Sequence, residues 1–311
     1  MISTIVRAGA AEVFQPEAVL IAALQPSISR RAPAEQSVRV SRSSRGLSGP
    51  AQKGNLALLA TMNKVIGVIP VRLESTRLPR KALRLICGHS MIEWIYCRAR
   101  AWPGFARLVV ATDSEEVMAH CGALGIPATL TSSAHRSGSD RVIEVMGREP
   151  ADLYVNIQGD EPMVTAQHIE LLIAPFRQQK VTTVTTLKVA ITPEEAANPN
   201  DVKVVTDHSG RALYFSRSSI PYDRAGAGGV RYSKHLGFYA YTREALATFG
   251  KLAPSELESA EALEQLRFLE NGIPIDVVET ANDTVGVDTE GDLRKVEEYF
   301  QRENITLPVT R

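Results

Sequence analysis

Cysteine is scarce in this chain, net charge is absent, and no long apolar run occurs. Of 311 residues only three are cysteine (Cys87, Cys97 and Cys121), at spacings that match neither a zinc site nor a redox pair. That argues against a disulfide framework and reads as a reducing compartment. Lysine plus arginine number 35, and aspartate plus glutamate also 35. A general nucleic-acid or membrane-surface binder carries a basic excess, so any anionic partner has to be met locally. No stretch reaches the ~18 consecutive apolar residues of a membrane span. The six histidines are scattered too widely for a metal cluster. Both the Walker phosphate loop and the Gly-x-Gly-x-x-Gly fingerprint are missing. What is left, 44% apolar and 23% charged residues, is ordinary for a globular protein of one or two domains.

Residues 1–61 stand apart. The stretch "SISRRAPAEQSVRVSRSSRGLSGPAQKGN" is rich in Ser, Arg, Pro and Gly and has no helix or strand period. Up to residue 61 there are seven basic and three acidic residues. Such composition suits a transit peptide. It equally suits a mis-assigned start, because Met62 opens "MNKVIGVIP" as a protein beginning directly with its first strand would. The second reading is preferred, and residues 1–61 are expected to be a disordered or non-native extension. The globular domain is then 62–311.

From Lys64 onward short apolar strands alternate with helical patterns. Strands are predicted at 64–69, 107–112, 126–130, 153–157, 181–191, 202–206, 212–215, 235–241 and 274–279. Helices are predicted at 91–101, 114–123, 139–148, 166–178, 243–249, 256–270 and 290–302. Thr192-Pro193-Glu194-Glu195 is a capped helix start, and Thr289 with Asp292 repeats the idea. The alternation predicts an α/β fold with a mainly parallel sheet covered on both faces, whose ligands sit at the carboxyl ends of its strands.

Polar residues gather in four places. In "VIGVIPVRLESTRLPRKAL" a buried run ends at Pro70, and Arg72, Arg77, Arg80 and Lys81 follow within a few residues, with Ser75 and Thr76 beside them. A charge run is usually a solvated loop, yet arginine forks, a lysine point charge and hydroxyls are also what a polyphosphate needs. The second place, "SSAHRSGSDR" (132–141), suits a tight turn before a helix start. The third, "VNIQGDEPMV" (155–164), runs a strand into Asp160 and Glu161, one facing back toward the sheet; this fits either an Asp–Pro turn or a Mg²⁺ site. "VGVDTEGDL" places Asp288 at another strand-to-helix junction, where Thr289 already serves as the cap. In the fourth, "KHLGFYAY" puts His235 and Tyr239 on one strand face. In "EALEQLRFL" the leucines follow the helical stripe and leave Glu264 and Gln265 at its edge.

Taken in order, "IPVRLESTRLPRKAL", "SGSDR", "VNIQGDEP", "NPNDVKVV", "LYFSRSSIPYDR", "HLGFYAY", "LEQLR" and "GVDT" resemble the 3-deoxy-manno-octulosonate cytidylyltransferases, or CMP-Kdo synthetases. The resemblance spans residues 63–302 and leaves 1–61 without a counterpart. It implies a Rossmann-like nucleotide-diphospho-sugar transferase fold, with a dimerisation and sugar-binding part around 205–255, and a homodimer. It also implies a cytoplasmic, Mg²⁺-dependent reaction of CTP with Kdo, giving CMP-Kdo and pyrophosphate for lipopolysaccharide synthesis.

The resemblance further assigns roles to residues. Arg72, Ser75, Thr76, Arg77 and Lys81 would hold the CTP phosphates and the ribose–base region. Ser137, Gly138 and Arg141 would line the cytosine pocket, and Gln158, Arg217, Arg224, His235, Tyr239, Glu264 and Gln265 would contact the sugar acid. Asp160 and Asp288 would bind Mg²⁺ and, with Arg72 and Lys81, carry catalysis. The chain departs from the family pattern at Arg80, where Gly is common, at Ser139-Asp140, where Thr-Glu is frequent, and in a short loop at 225–233.

Three rivals stay open at this point. They are transfer to 8-amino-Kdo or a sialic acid, a CTP-binding regulatory protein without activity, and a hexose-1-phosphate nucleotidyltransferase. The usual Gly-rich first loop of that last class is missing here.

Overall fold

The computed structural model describes residues 64–178, 181–224, 226 and 229–308. The extension at 1–61, and with it the expectation of disorder there, lies outside the described residues. The strands are β1 (Val65–Val71), β2 (Leu85–Ile86), β3 (His89–Ser90), β4 (Phe105–Thr112), β5 (Ala128–Leu130) and β6 (Leu153–Asn156). They continue with β7 (Val184–Ile191), β8 (Lys203–Thr206), β9 (Ala212–Ser216), β10 (Tyr232–Thr242) and β11 (Ile275–Glu279). The helices are α1 (Met91–Arg100), α2 (Glu115–Ala123), α3 (Gly138–Arg148), α4 (Ala166–Ile173), α5 (Pro193–Ala196) and α6 (Arg243–Phe249). Three more, α7 (Glu256–Glu261), α8 (Leu266–Glu270) and α9 (Glu290–Arg302), complete the described set.

The main sheet runs β11-β7-β10-β6-β1-β4-β5. Its pairs β1–β4, β1–β6, β4–β5 and β7–β11 are parallel, and β10 alone on that path runs against its neighbours. β8 pairs with β9 and touches β10 off the path. Strand β1 shows why the sheet is covered on both sides. Val65, Ile69 and Val71 enter one core with Trp94, Ile169 and Phe300, while Ile66 and Val68 enter another with Val142, Phe249 and Phe268. Alternation of side chains along a strand sends neighbours to opposite faces, and both faces are apolar.

The structure redraws several expected boundaries. The helix expected over 166–178 ends at Ile173 and tightens into a 3₁₀ turn at Ala174–Arg177, where Pro175 removes a donor. The helix expected over 256–270 is broken at Ala262, which takes a left-handed φ of 52°. Glu264 and Gln265 therefore lie in the turn between α7 and α8, not on a helix edge, and Gln265 is buried. A 3₁₀ turn at Lys81–Leu83 and the small β2–β3 hairpin were not anticipated.

In β10 the register jumps between Leu236 and Tyr239. Leu236 faces Leu187 and Tyr239 faces Thr186, so two residues are extra on this strand. His235 and Tyr239 consequently remain on one face, with ring centroids 5.4 Å apart, as the sequence reading expects.

Candidate active site

The site lies at the carboxyl ends of the parallel strands, where this class of sheet opens a crevice. The chain leaves β1 through Arg72 to Arg80, a loop in which Ser75 Oγ accepts from Leu78 N at 3.4 Å and buried Leu78 pins the middle. Arg72, Thr76 and Arg77 are exposed there. The loop ends at Arg80 with φ 56°, a left-handed conformation. Glycine, with no Cβ to clash, would take that conformation without strain. Arg80 is held by an ion pair to Glu116. The turn delivers Lys81 inward.

From β6 the chain passes to Gln158 and Gly159. A Cβ on Gly159 would stand 2.5 Å from Pro70 O, so the loop carrying Asp160 can approach β1 only because no side chain is there. Asp160 O accepts from Val287 N at 2.9 Å, which binds this loop to the one that carries Asp288. The three meet. Lys81 Nζ donates to Asp160 Oδ2 at 2.7 Å and to Asp288 Oδ1 at 3.0 Å, and Arg77 lies 2.9 Å from Asp288 Oδ2. Burial works against the Lys81 ammonium, but Asp160 and Asp288 outweigh it and raise its pKa.

Capping leaves Asp288 available. Thr289 caps α9 and Asp292 completes the box. Arg84 fixes the same helix start through a fork on Glu290 at 2.8 Å to each oxygen. Beside Asp160, the Glu161 carboxyl points back into the protein as expected. Burial, then the charge of Asp160, push its pKa up to about 8.

The opposite wall is built from buried groups. The Thr186 hydroxyl lies within hydrogen-bond reach of Phe238 O at 2.8 Å, Leu236 O at 3.2 Å and His235 Nε2 at 2.9 Å. Burial pulls the His235 pKa down to about 3, which keeps the ring neutral. Burial, then Tyr241 and Glu264, raise the Tyr239 pKa well above the usual tyrosine value. The rings of Tyr239, Tyr241 and Phe268 stack in succession at 5.6 and 5.8 Å. Glu264 accepts from Ser139 Oγ at 2.8 Å, tying this wall to the first turn of α3. Ser137 caps that helix and Gly138 packs on Pro70. Gln158 sits between Gly138 and Gly237. Arg217 turns toward Glu261 O and Pro199 O, at 2.8 and 3.2 Å.

Two residues fall outside this convergence. Arg141 is turned inward, its side chain only 5% exposed. It donates to Asp113 at 2.6 Å, Thr131 Oγ1 at 2.7 Å and Ser132 O at 3.2 Å. It thus ties α3 to the segments that follow β4 and β5. Arg224 is exposed on the segment before β10 and makes no described contact with the crevice residues. Sequence reasoning also missed Thr186, Lys203 and Lys234. The last two lie on strands, where a lysine ordinarily reads as a surface residue.

A cationic loop facing paired carboxylates across the strand ends of a Rossmann-like sheet is the arrangement of a nucleotidyltransferase. Comparison with known proteins narrows the class. The family model described as "Cytidylyltransferase" matches residues 66–279. The 3-deoxy-manno-octulosonate cytidylyltransferase of Acidobacterium capsulatum is 56% identical over 236 residues, covering 76% of this chain and 96% of that relative. That of Koribacter versatilis is 54% identical over 241 residues, covering 78% and 92%. A solved structure of CMP:2-keto-3-deoxy-manno-octonic acid synthetase complexed with CTP matches at a TM-score of 0.74 and 45% identity. It covers 77% of this chain and 99% of that one. The chain therefore belongs to the 3-deoxy-manno-octulosonate cytidylyltransferase family.

Proposed function

We propose that this chain transfers the CMP group of CTP to 3-deoxy-D-manno-octulosonate, giving CMP-Kdo and pyrophosphate. The observation that carries the reading is that Asp160 and Asp288 meet on one atom, Lys81 Nζ. A hydroxyl oxygen of the sugar acid forms the new bond to the α-phosphorus. The bond from that phosphorus to the β-phosphate bridging oxygen breaks with its electron pair staying on pyrophosphate, and the hydroxyl proton passes to solvent. Triphosphate and sugar acid are both anions, so their approach needs local neutralisation, which Arg72, Arg77 and Lys81 supply. Displacements of this kind ask the protein chiefly for alignment and electrostatic support. His235, Tyr239, Gln158, Gln265, Glu264 and Arg217 orient the sugar.

The donor set also fits Mg²⁺. Two carboxylates reach a common point, both are part-exposed, and all donors are oxygen. Among the described residues no group of three or more His, Cys, Asp or Glu could hold a metal ion, and Mg²⁺ is commonly bound through one or two carboxylates plus substrate phosphates. Asp160 and Asp288 would hold it, and when bound it supplies Lewis-acid neutralisation and lowers the pKa of a nearby hydroxyl.

The test is purified protein with CTP, Mg²⁺ and a panel of acidic sugars, including Kdo, its 8-amino analogue and a sialic acid. Pyrophosphate release with Kdo is expected. Binding of CTP with no release from any sugar would favour the regulatory reading. A homodimer belongs to the same proposal; exposed Leu213 on β9 and exposed Tyr222 support it, and light scattering in solution tests it. A cytoplasmic location belongs to it too, and cell fractionation tests that. Among the described residues no helix is long and apolar enough to cross a membrane.

A further inference from the structure

The motif "NPNDVKVV" has no part in the chemistry above, yet it holds an unusual arrangement. Lys203 of β8 and Lys234 of β10 are direct cross-strand partners. Lys203 is fully buried, and only 15% of the Lys234 side chain is exposed. Like charges facing each other across strands are destabilising, and a buried cation is costly unless it is fully hydrogen-bonded. Asp201 resolves both problems. Its carbonyl accepts from Lys203 Nζ at 2.6 Å, and its carboxylate lies 3.6 Å from Lys234 Nζ.

The remaining contacts of the two ammonium groups diverge. Lys203 also donates to Asn198 O at 2.8 Å and Arg217 O at 2.6 Å. A lysine has three donors, so Lys203 has none to offer a substrate. All of them fix backbone, and one carbonyl belongs to the arginine assigned to the sugar acid. Lys234 donates to Thr284 O at 2.8 Å and pairs with Asp283 at 2.9 Å. Those residues open the segment that runs through Val287, bonded to Asp160 O, into Asp288. Glu161 belongs to the same group, interacting with Lys234, Thr284 and Asp283.

We propose that Lys203 and Lys234 are positioning residues that set the two sides of the crevice separately: Lys203 fixes Arg217 for the sugar acid, and Lys234 fixes the loop of Asp288 for the metal-bound nucleotide. The inference rests on the functional reading above. It predicts a crossed pattern that general loss of stability would not produce. Lys203→Met raises the KM for Kdo about tenfold, and Lys234→Met leaves it near the wild-type value; such a change matches the mispositioning of one hydrogen bond to a charged group. In the other direction, Lys234→Met weakens Mn²⁺ binding to the protein with CTP and no sugar, read by electron paramagnetic resonance, and Lys203→Met does not.

Lys203→Arg and Lys234→Arg keep the charge and serve if a methionine variant fails to fold. A guanidinium cannot place three donors from one atom, so each should still show its own half of the pattern. Wild-type protein that releases no pyrophosphate with Kdo would sink the functional reading itself. Active wild type whose two lysine variants shift the same constants together, or shift none, overturns this inference alone.

Discussion

The two walls of the crevice are made by opposite means. On the proposed nucleotide side, charge is concentrated and only partly covered: Arg77 is 62% exposed, and with the part-buried Lys81 it balances Asp160 and Asp288. On the proposed sugar side, His235, Tyr239 and Gln265 are buried, and ring stacking and side-chain hydrogen bonds hold the wall. The difference suits the proposed ligands. A triphosphate is recognised by charge that can swing onto its oxygens. A sugar acid is told from its relatives by hydroxyl patterns, which need donors and acceptors fixed in advance.

The sharpest way to break this comparison is to remove charge from the nucleotide wall. Asp160→Ala should cut turnover about a hundredfold or more, as loss of one oriented electrostatic group does, while the KM for Kdo changes little. Steady-state kinetics decides it, and near-normal turnover would refute the role of Asp160. Next in size, Arg217→Ala should raise the KM for Kdo about tenfold, in keeping with one lost charge-assisted contact, and should raise the KM for CTP far less. Equal rises in both constants would make Arg217 a purely structural residue.

Stability against pH separates the walls more gently. The His235 pKa falls from 6.5 to about 3 on burial, so the unfolded chain takes up a proton that the folded one refuses. Its contribution is full above pH 6.5 and is lost as pH drops toward 3. Glu161 has the reverse sign. Its pKa rises from 4.5 to about 8, so its contribution is full below 4.5 and erodes as pH climbs to 8. Urea unfolding at a series of pH values should show Glu161→Gln gaining on wild type steadily between pH 4.5 and 8. Parallel curves would remove Glu161 from the account. Smallest of all, Arg80→Gly should stabilise the fold by about 1 kcal/mol by relieving the left-handed backbone, measured as a higher melting temperature. No gain would mean that the pair with Glu116 outweighs the strain.

The legible parts were those written in local pattern. The apolar run of β1 and the cations after it can be read directly, as can Asp160 and Asp288 at strand ends and the Thr289 cap that leaves Asp288 available. What escaped depends on distant partners. Nothing near Ala262 announces a left-handed residue that ends α7 early. The inward turn of Arg141 is set by Asp113 and Thr131, which lie on other elements. β10 was recognised as a strand, but its antiparallel direction comes from where the chain returns. Lys203 and Lys234 look like surface residues until three carbonyls are found to converge on one of them.

The irregularity in β10 also carries an evolutionary consequence. Because its surplus over β7 is an even number of residues, it leaves parity intact: every side chain beyond it keeps the face it would have had in an unbroken ladder. Removing Gly237 and Phe238 together would shorten the reach of Tyr239 but keep it pointing at the sugar wall. Removing one of them alone would send Tyr239 and Tyr241 together to the opposite face, into the core that holds Leu236 and Ala240. Length variation among relatives at this point should therefore come in steps of two.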